Sequence, residues 1–254
     1  MGRTHGVTPT TTPAADDAFT GRVAAIDNLR GLAIIAMVAY HFCFDLRHFG
    51  FITADLYRDP FWLHARTTIL SSFLLLAGIS LVLAQRDAPG RDRFWRHVTR
   101  VAAAALLVSA ASYVVFPQRY IWFGVLHAIA ISLVLVRPLA ARPVLALAIG
   151  VALLIAGNTW TSAWFDNRMW GWIGFMTAKP ATEDYVPLVP WTGMILLGMA
   201  LAHPLQRNGF QALAPLARLP AWLGVMGRHS LAIYLIHQPL LFGVLYVAAR
   251  GLRP

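Results

Sequence analysis

Long apolar stretches without charge recur along the chain and are separated by short polar connections. A helix needs ~20 mostly apolar residues to cross the hydrocarbon core of a bilayer. Six stretches come near that length or exceed it: residues 67–85, 101–118, 120–136, 143–165, 185–206 and 229–249. Two shorter apolar pieces cannot span alone. We expect 219–227 to lie in the interface or to lead into the last helix, and 170–178 to join an interfacial belt with Trp160, Trp164 and Trp172.

The first predicted helix differs from the others because its uncharged run, residues 31–44, is short. At 1.5 Å per residue this run makes about 21 Å of helix. Crossing roughly 30 Å of hydrocarbon requires the helix to extend towards Val23 and Leu46. The extension brings Asp27, Arg30 and Asp45 into the membrane or close to its edges. We therefore predict an all-α integral membrane protein, a polytopic bundle of about seven transmembrane helices.

The composition agrees with lipid as the main solvent. Hydrophobic residues make up 58% of the 254 positions and charged residues only 13%, whereas a soluble domain carries about a quarter charged residues. The net charge is +10. The arginines flank apolar runs and do not form one basic stripe, so we predict membrane lipid and not nucleic acid as a partner. Residues 1–21, rich in Thr, Pro and Ala, are predicted to form a disordered cytoplasmic tail before a single domain at 22–254.

Arginines concentrate in alternate connections, which predicts the topology. They follow the second, fourth and sixth predicted helices: Arg86, Arg91, Arg93, Arg96, Arg100, then Arg137 and Arg142, then Arg207, Arg218 and Arg228. The intervening connections hold fewer cations, mixed with Asp and Glu. By the positive-inside rule the N-terminus is cytoplasmic and the C-terminus lies outside.

Four ionisable residues of the first helix share one face. Arg30 and His41 are eleven residues apart, so at 100° per residue they return to within about 20° of each other. Asp27 precedes Arg30 by three positions, and Asp45 follows His41 by four. Ionisable groups in a spanning segment are costly, usually face the bundle interior or water, and are candidates for function.

The types of these residues suggest acid–base chemistry. His41 could accept a proton from an attacking hydroxyl or amine, and Asp45 one turn away could fix its tautomer. Arg30, about 16 Å lower along the helix, could face the phosphates of a cytoplasmic cofactor with Asp27 orienting it. The structural alternatives stay open: Asp27 and Arg30 as an interfacial pair, His41 as a packed histidine, and Asp45 as the outer end of the helix.

Two further histidines lie inside predicted helices. His127 and His237 are candidate cofactor-binding residues, or packed polar residues bonded to a backbone carbonyl. They and His41 lack close ligand spacing and an acidic cluster, so we predict no metal site. The single cysteine, Cys43, rules out an internal disulfide and a thiolate cage. Gly78 is predicted to permit close packing of helices.

Several of these residues lie in motifs that resemble a known family. The motifs are IDNLRGLA at 26–33, MVAYHFCFDL at 37–46, FLLLAGIS at 73–80, GVLH at 124–127, VPLVPW at 186–191 and GRHSLAIYLIHQP at 227–239. Together they resemble bacterial members of the heparan-α-glucosaminide N-acetyltransferase catalytic-domain family. The last motif is also similar to transmembrane acyltransferases in general. In that wider group an arginine, ten residues and a histidine occur in the first helix, and Arg30 and His41 match this spacing.

The resemblance implies a membrane enzyme that takes an acyl group from cytoplasmic acyl-CoA, often acetyl-CoA. It would pass the group to a carbohydrate or glycolipid amine or hydroxyl across the bacterial inner membrane. Larger lysosomal members have asparagine at the position of His41 and a proposed catalytic histidine in the loop that follows, which makes His48 the alternative base. The alternative function is a non-enzymatic transporter or an export or scaffold protein. The oligomeric state stays open, a homo-oligomer included.

Overall fold

The computed structural model describes residues 23–85 and 90–251, and within them it contains helices and no strand. The helices are α1 (Ala24–His48), α2 (Pro60–Ala84), α3 (Gly90–Val115), α4 (Val125–Val136), α5 (Pro143–Thr159), α6 (Leu188–Arg207), α7 (Ala214–Ala217), α8 (Ala221–Arg228) and α9 (Ser230–Gly251). The predicted tail at 1–21, Arg86 and the side chain of Arg91 lie outside the described residues.

Five of the helices, α1, α2, α3, α6 and α9, are long and apolar enough to cross a membrane. The predicted all-α, multi-pass membrane fold is therefore confirmed, but the count of seven is not. The fourth and fifth predicted spans correspond to shorter apolar helices: α4 together with the 3₁₀ turn that follows it, Val125–Leu139, and α5, Pro143–Thr159. The fourth begins late because Asp184 accepts the Val125 N–H and holds this helix start. The fifth ends early because Trp160 adopts an extended backbone.

Helix α3 begins eleven residues before the predicted start at 101, because a search for uncharged runs stops at arginines. Phe94, Val98 and Val101 are buried at i, i+4 and i+7, which is the spacing of one apolar helix face. Arg93, Arg96 and Arg100 therefore lie on the first turns of a long helix and not in a connecting loop.

Close contacts between helix backbones hold the bundle together. A Cβ on Gly78 of α2 would collide with the carbonyl oxygen of Ile195 in α6, and a Cβ on Gly198 would collide with that of Leu75. The prediction that Gly78 permits close packing is thus confirmed. In the same way, a Cβ on Gly227 of α8 would meet the carbonyl oxygen of Asp27 in α1. The beginning of α1 is therefore fixed against α8.

The connection between α5 and α6 lies at the end of the bundle where α1 ends. It contains two short 3₁₀ turns, Ala163–Phe165 and Gly171–Ile173. The rings of Trp164 and Trp170 stack with centroids 5.0 Å apart, and the Trp172 indole N–H donates to the carbonyl of Met169. This connection also contributes residues 179–187 to the wall of the central cavity described below.

Candidate active site

A cavity of about 2140 Å³ runs alongside α1. It is lined by residues from Val23 to His48, which are the two ends of this helix. The 25 residues of α1 extend over about 37 Å. Pockets for single small ligands usually measure about 300–1,000 Å³. The cavity is therefore large enough for more than one small ligand.

All four ionisable residues predicted on the first helix line this cavity: Asp27, Arg30, His41 and Asp45. Both aspartates are buried, with exposed fractions of 8% and 1%. The structure thus places the predicted polar face on the cavity wall and not against lipid.

At the beginning of α1, the guanidinium of Arg30 is held by two partners. Its Nη1 donates to Asp27 Oδ1 at 3.0 Å, and its Nη2 donates to Ser80 Oγ at 2.7 Å. Arg228 of α8 lies 4.0 Å from the other oxygen of Asp27. The predicted pairing of Asp27 with Arg30 is present, and it leaves Arg30 on the cavity wall.

The same end of the cavity carries a basic stripe formed by side chains of α3. Arg93, Arg96, His97 and Arg100 of α3 line it at positions i, i+3, i+4 and i+7, the spacing of one helix face. Because the sequence pattern placed these arginines in a connection, their common helix face was not predicted. Their helical spacing indicates a shared face once α3 is known to begin at Gly90.

At the other end of α1, His41 belongs to a network that joins α1 to α9. Its Nδ1 lies 2.8 Å from His237 Nε2 and 2.9 Å from Gln238 Oε1. Gln238 Nε2 donates to Asp45 Oδ1 at 2.8 Å. Asp45 therefore reaches His41 through Gln238 and not directly, because the amide of α9 lies between them. Gln238 was missed as a site residue.

The hydrogen-bond partners assign the tautomer of His41. His237 Nδ1 lies 2.8 Å from the Tyr234 carbonyl oxygen and 3.1 Å from that of Ile233. Carbonyl oxygens only accept, so His237 carries its proton on Nδ1 and its Nε2 accepts. Gln238 donates to a carboxylate with its NH₂ and so presents its oxygen to His41. Both partners require a proton on His41 Nδ1, which leaves Nε2 with a lone pair for a substrate proton.

One oxygen of this network has no partner. Asp45 Oδ2 is buried and accepts no hydrogen bond from the described residues. Buried carboxylate oxygens in proteins are nearly always hydrogen-bonded. Among the described residues, the Asp45 carboxylate is therefore held through Oδ1 alone.

A comparison with known protein families identifies the chain's relatives. The family described as "Heparan-alpha-glucosaminide N-acetyltransferase, catalytic" matches residues 22–239, which is most of the chain. The chain belongs to this family. The resemblance inferred from the motifs is confirmed, and membership of the heparan-alpha-glucosaminide N-acetyltransferase catalytic family indicates a membrane acetyltransferase. No curated protein and no solved structure matches the chain.

The matched region of this N-acetyltransferase family contains both halves of the network, since His237 and Gln238 immediately precede its end at Pro239. His237 was predicted as a cofactor-binding residue. The structure places it beside His41, far along α1 from the arginine stripe. It is therefore positioned to act on His41 and not to contact the phosphates of a cofactor.

His127, the other predicted cofactor-binding residue, is engaged elsewhere. Its Nδ1 accepts the Gly124 N–H at 3.2 Å, and its Nε2 lies 3.2 Å from Ser109 Oγ. It is not among the residues that line the cavity. His127 therefore holds the beginning of α4, and we leave it out of the proposed site.

His48, the alternative base, lies at the last turn of α1. Its ring packs against Phe49 and Phe242 at centroid distances of 5.1 and 5.4 Å. It lines the cavity and is exposed, but no described residue orients it as Gln238 and His237 orient His41. No group of three His, Cys, Asp or Glu within residues 23–85 and 90–251 is arranged to hold a metal.

Two residues of the loop that precedes α6 complete the cavity wall at this end. Asp184 accepts the Val125 N–H at 2.8 Å, and burial raises the pKa of its carboxyl. Tyr185 donates its hydroxyl to the Gly171 carbonyl at 2.6 Å, and burial raises its pKa to about 12. Tyr185 is therefore a neutral hydroxyl at neutral pH, held in place by the loop.

Proposed function

We propose that this protein moves an acyl group, in the simplest case acetyl, from cytoplasmic acyl-CoA to an amine or hydroxyl of a carbohydrate or glycolipid acceptor. His41 acts as the general base. The observation that carries this proposal is the cavity-facing imidazole whose Nδ1 side is held by Gln238 and His237, which directs the Nε2 lone pair to the substrate.

The arginine stripe supports the assignment of the donor end. Guanidinium groups form bidentate hydrogen bonds with phosphates, and Arg93, Arg96 and Arg100 line the cavity together with Arg30. An acyl-CoA bound with its phosphates against this stripe can extend its acyl end along α1 towards His41. This requires the stripe to face the cytoplasm, which agrees with the positive-inside rule. We therefore place the N-terminus inside and the C-terminus outside the inner membrane.

In the proposed reaction the acceptor nitrogen or oxygen attacks the thioester carbonyl carbon. His41 Nε2 takes the proton that the attacking atom loses. The bond between the carbonyl carbon and sulfur then breaks, and the departing thiolate takes the proton from the imidazolium. The products are the acylated acceptor and the free CoA thiol, and His41 returns to its neutral form. Positioned general bases contribute typically about 10²–10⁴-fold in rate.

The residues around His41 favour the charged intermediate form of the imidazole. Gln238 Oε1 and His237 Nε2 both accept from His41 Nδ1–H, and these hydrogen bonds strengthen when the His41 ring becomes a cation. Asp45 holds the amide of Gln238 in the orientation that presents its oxygen. Asp45 and Gln238 thus act as positioning residues, and Asp27 has the same role for Arg30.

A thiol-release assay tests this function. The protein is purified into lipid nanodiscs and supplied with acetyl-CoA and D-glucosamine, and release of CoA thiol is compared with formation of the acetylated sugar. We expect one acetylated product per thiol, and a loss of about 10²–10⁴-fold for His41→Ala. His48→Ala is the matched control and keeps near-normal turnover.

Two results contradict the proposal. If His48→Ala is inactive while His41→Ala turns over normally, the general base is His48 and not His41. If the wild-type protein binds lipid and unfolds cooperatively but releases no thiol with any acceptor, the transporter or scaffold alternative replaces the enzyme. Thermal unfolding of each variant distinguishes a catalytic loss from misfolding.

A further inference from the structure

The central cavity opens sideways along one edge of α3. A strip of residues at i, i+4 and i+8 both lines the cavity and is exposed, and it consists of Leu107, Ala111 and Val115. The strip one residue earlier is exposed but does not line the cavity, and it consists of Leu106, Ala110 and Val114. Because successive residues of a helix are rotated by about 100°, the first strip lies where the lipid-facing surface of α3 turns into the cavity wall.

Helix α9 has a matching edge. Pro239 and Gly243, one helical turn apart, are exposed and line the cavity. Leu240 and Val244, which follow them, are each 60% exposed and do not line it. A Cβ built on Gly243 would meet no atom of the described residues within 4 Å outside its own helix. We call the opening between these edges of α3 and α9 the lateral window.

Apolar contacts between α3 and α9 close the window at both ends. Towards the arginine stripe, the two helices meet in one apolar cluster that contains Val101, Ala104, Ala105, Leu231, Tyr234 and Leu235. At the other end, the rings of Phe116 and Phe242 lie 6.0 Å apart. From Leu235 to Phe242 the window extends over about 10 Å of α9.

The depth of the window determines what can enter it from the bilayer. Helix α9 has 22 residues and is apolar enough to cross the membrane, which gives it a length of about 33 Å. Pro239 and Gly243 lie about 14 and 20 Å from its start, in the middle of the hydrocarbon layer. A free sugar entering here would lose the water that solvates its hydroxyls. The group that occupies the window from the lipid side is therefore a hydrocarbon chain.

The window also lies beside the proposed reaction centre. Gln238, whose Oε1 is 2.9 Å from His41 Nδ1, immediately precedes Pro239. The arginine stripe that we assign to the donor phosphates lies on the other side of the apolar cluster that closes the window. An acyl-CoA extending from that stripe along α1 reaches His41 without crossing the window. The hydrocarbon chain in the window is therefore that of the acceptor.

We propose that the acceptor is a membrane amphiphile whose hydrocarbon chain lies in the lateral window while its headgroup, which carries the amine or hydroxyl, faces His41. This inference rests on the proposed acyltransferase function and adds how the acceptor is held. A lipid that merely covers the same edge keeps its headgroup at the membrane surface and makes no distinction between acceptors.

The test compares kcat/KM for D-glucosamine and dodecyl β-D-glucosaminide, which share the amine and differ in the hydrocarbon chain. Partitioning into the nanodisc concentrates the dodecyl compound equally for every variant, so the measured quantity is the ratio of the two values relative to wild type. We expect Gly243→Trp and Ala111→Trp, which fill the window, to lower this ratio at least about tenfold, because forcing a chain into filled space resembles overpacking a core. Val244→Trp and Ala110→Trp put the same side chain on the lipid face and keep the wild-type ratio.

Further arms separate the sources of failure. An unchanged ratio in both window variants overturns the inference, while continued thiol release with D-glucosamine still supports the acyltransferase. If the two variants instead lower kcat/KM for palmitoyl-CoA relative to acetyl-CoA and leave the acceptor ratio unchanged, the chain in the window is the donor's, which also overturns the inference.

If no thiol is released at all, photocrosslinking of a dodecyl glucosaminide with a diazirine on its chain decides, with the labelled peptides identified by mass spectrometry. Labels concentrated at residues 107–115 and 239–243, and suppressed in Gly243→Trp, support the inference. Labels spread evenly along the lipid-facing helices overturn it.

Discussion

Replacing Gln238 by leucine tests whether the amide of α9 controls the base on α1. Leucine has a similar size but no polar atoms, so Gln238→Leu removes the bonds to His41 and Asp45 together. His237 Nε2 still accepts from His41 Nδ1–H at 2.8 Å. The preference of His41 for the tautomer with its proton on Nδ1 is therefore weaker in this variant, but it is not lost.

The expected loss of kcat is moderate because this bond remains. Losing one hydrogen bond to an imidazole that becomes charged costs about 1.5–2 kcal/mol in the transition state, which corresponds to roughly ten- to thirtyfold in kcat. This is less than the loss of about 10²–10⁴-fold expected for His41→Ala. Asp45 is also left without a partner among the described residues, since its Oδ2 already has none. That costs about 1–3 kcal/mol of stability, visible as a lower unfolding temperature.

The assay is a double-mutant cycle on kcat, measured by thiol release in nanodiscs. If Gln238 acts only through His41, then Gln238→Leu in the His41→Ala background changes kcat by less than about twofold. Gln211→Leu, at an exposed glutamine outside the cavity, is the matched control and has no effect. The reasoning is refuted if the two losses multiply, or if Gln238→Leu alone leaves kcat unchanged.

Two further predictions concern packing and donor binding. Gly78→Ala places a Cβ against the carbonyl of Ile195 and should destabilise the bundle by about 1–3 kcal/mol, whereas Gly243→Ala, with open space around it, should not; an unchanged unfolding temperature for Gly78→Ala would contradict the close contact. Arg96→Gln should raise the KM for acetyl-CoA several-fold with kcat unchanged, and an equal fall in kcat would place Arg96 in the chemistry instead.

The polar face of α1 could be predicted from sequence because it depends on one helix alone. Helical periodicity relates Asp27, Arg30, His41 and Asp45 without reference to any other element, and the structure places all four on the cavity wall. Gln238 could not be found in this way, since it lies almost 200 residues from His41 along the chain. Its position depends on how α9 packs against α1, which no local pattern encodes.

The other differences have local causes that the sequence does contain. The early start of α3 is encoded in the i, i+4, i+7 spacing of Phe94, Val98 and Val101, but arginines between them interrupt the uncharged run. The capping role of His127 is suggested by its position three residues after Gly124, where a side chain can reach back to the backbone N–H. Hydropathy alone reveals neither the amphipathic face at the beginning of α3 nor the capping position of His127.

The most direct test of the central claim is a cryo-EM structure in a lipid nanodisc with a thioether analogue of acetyl-CoA that cannot transfer its acetyl group. We expect density for the phosphates beside Arg93, Arg96 and Arg100, and the acetyl carbonyl within reach of His41 Nε2. The account is contradicted if the analogue binds elsewhere, or if it fills the cavity with its acetyl end turned away from His41.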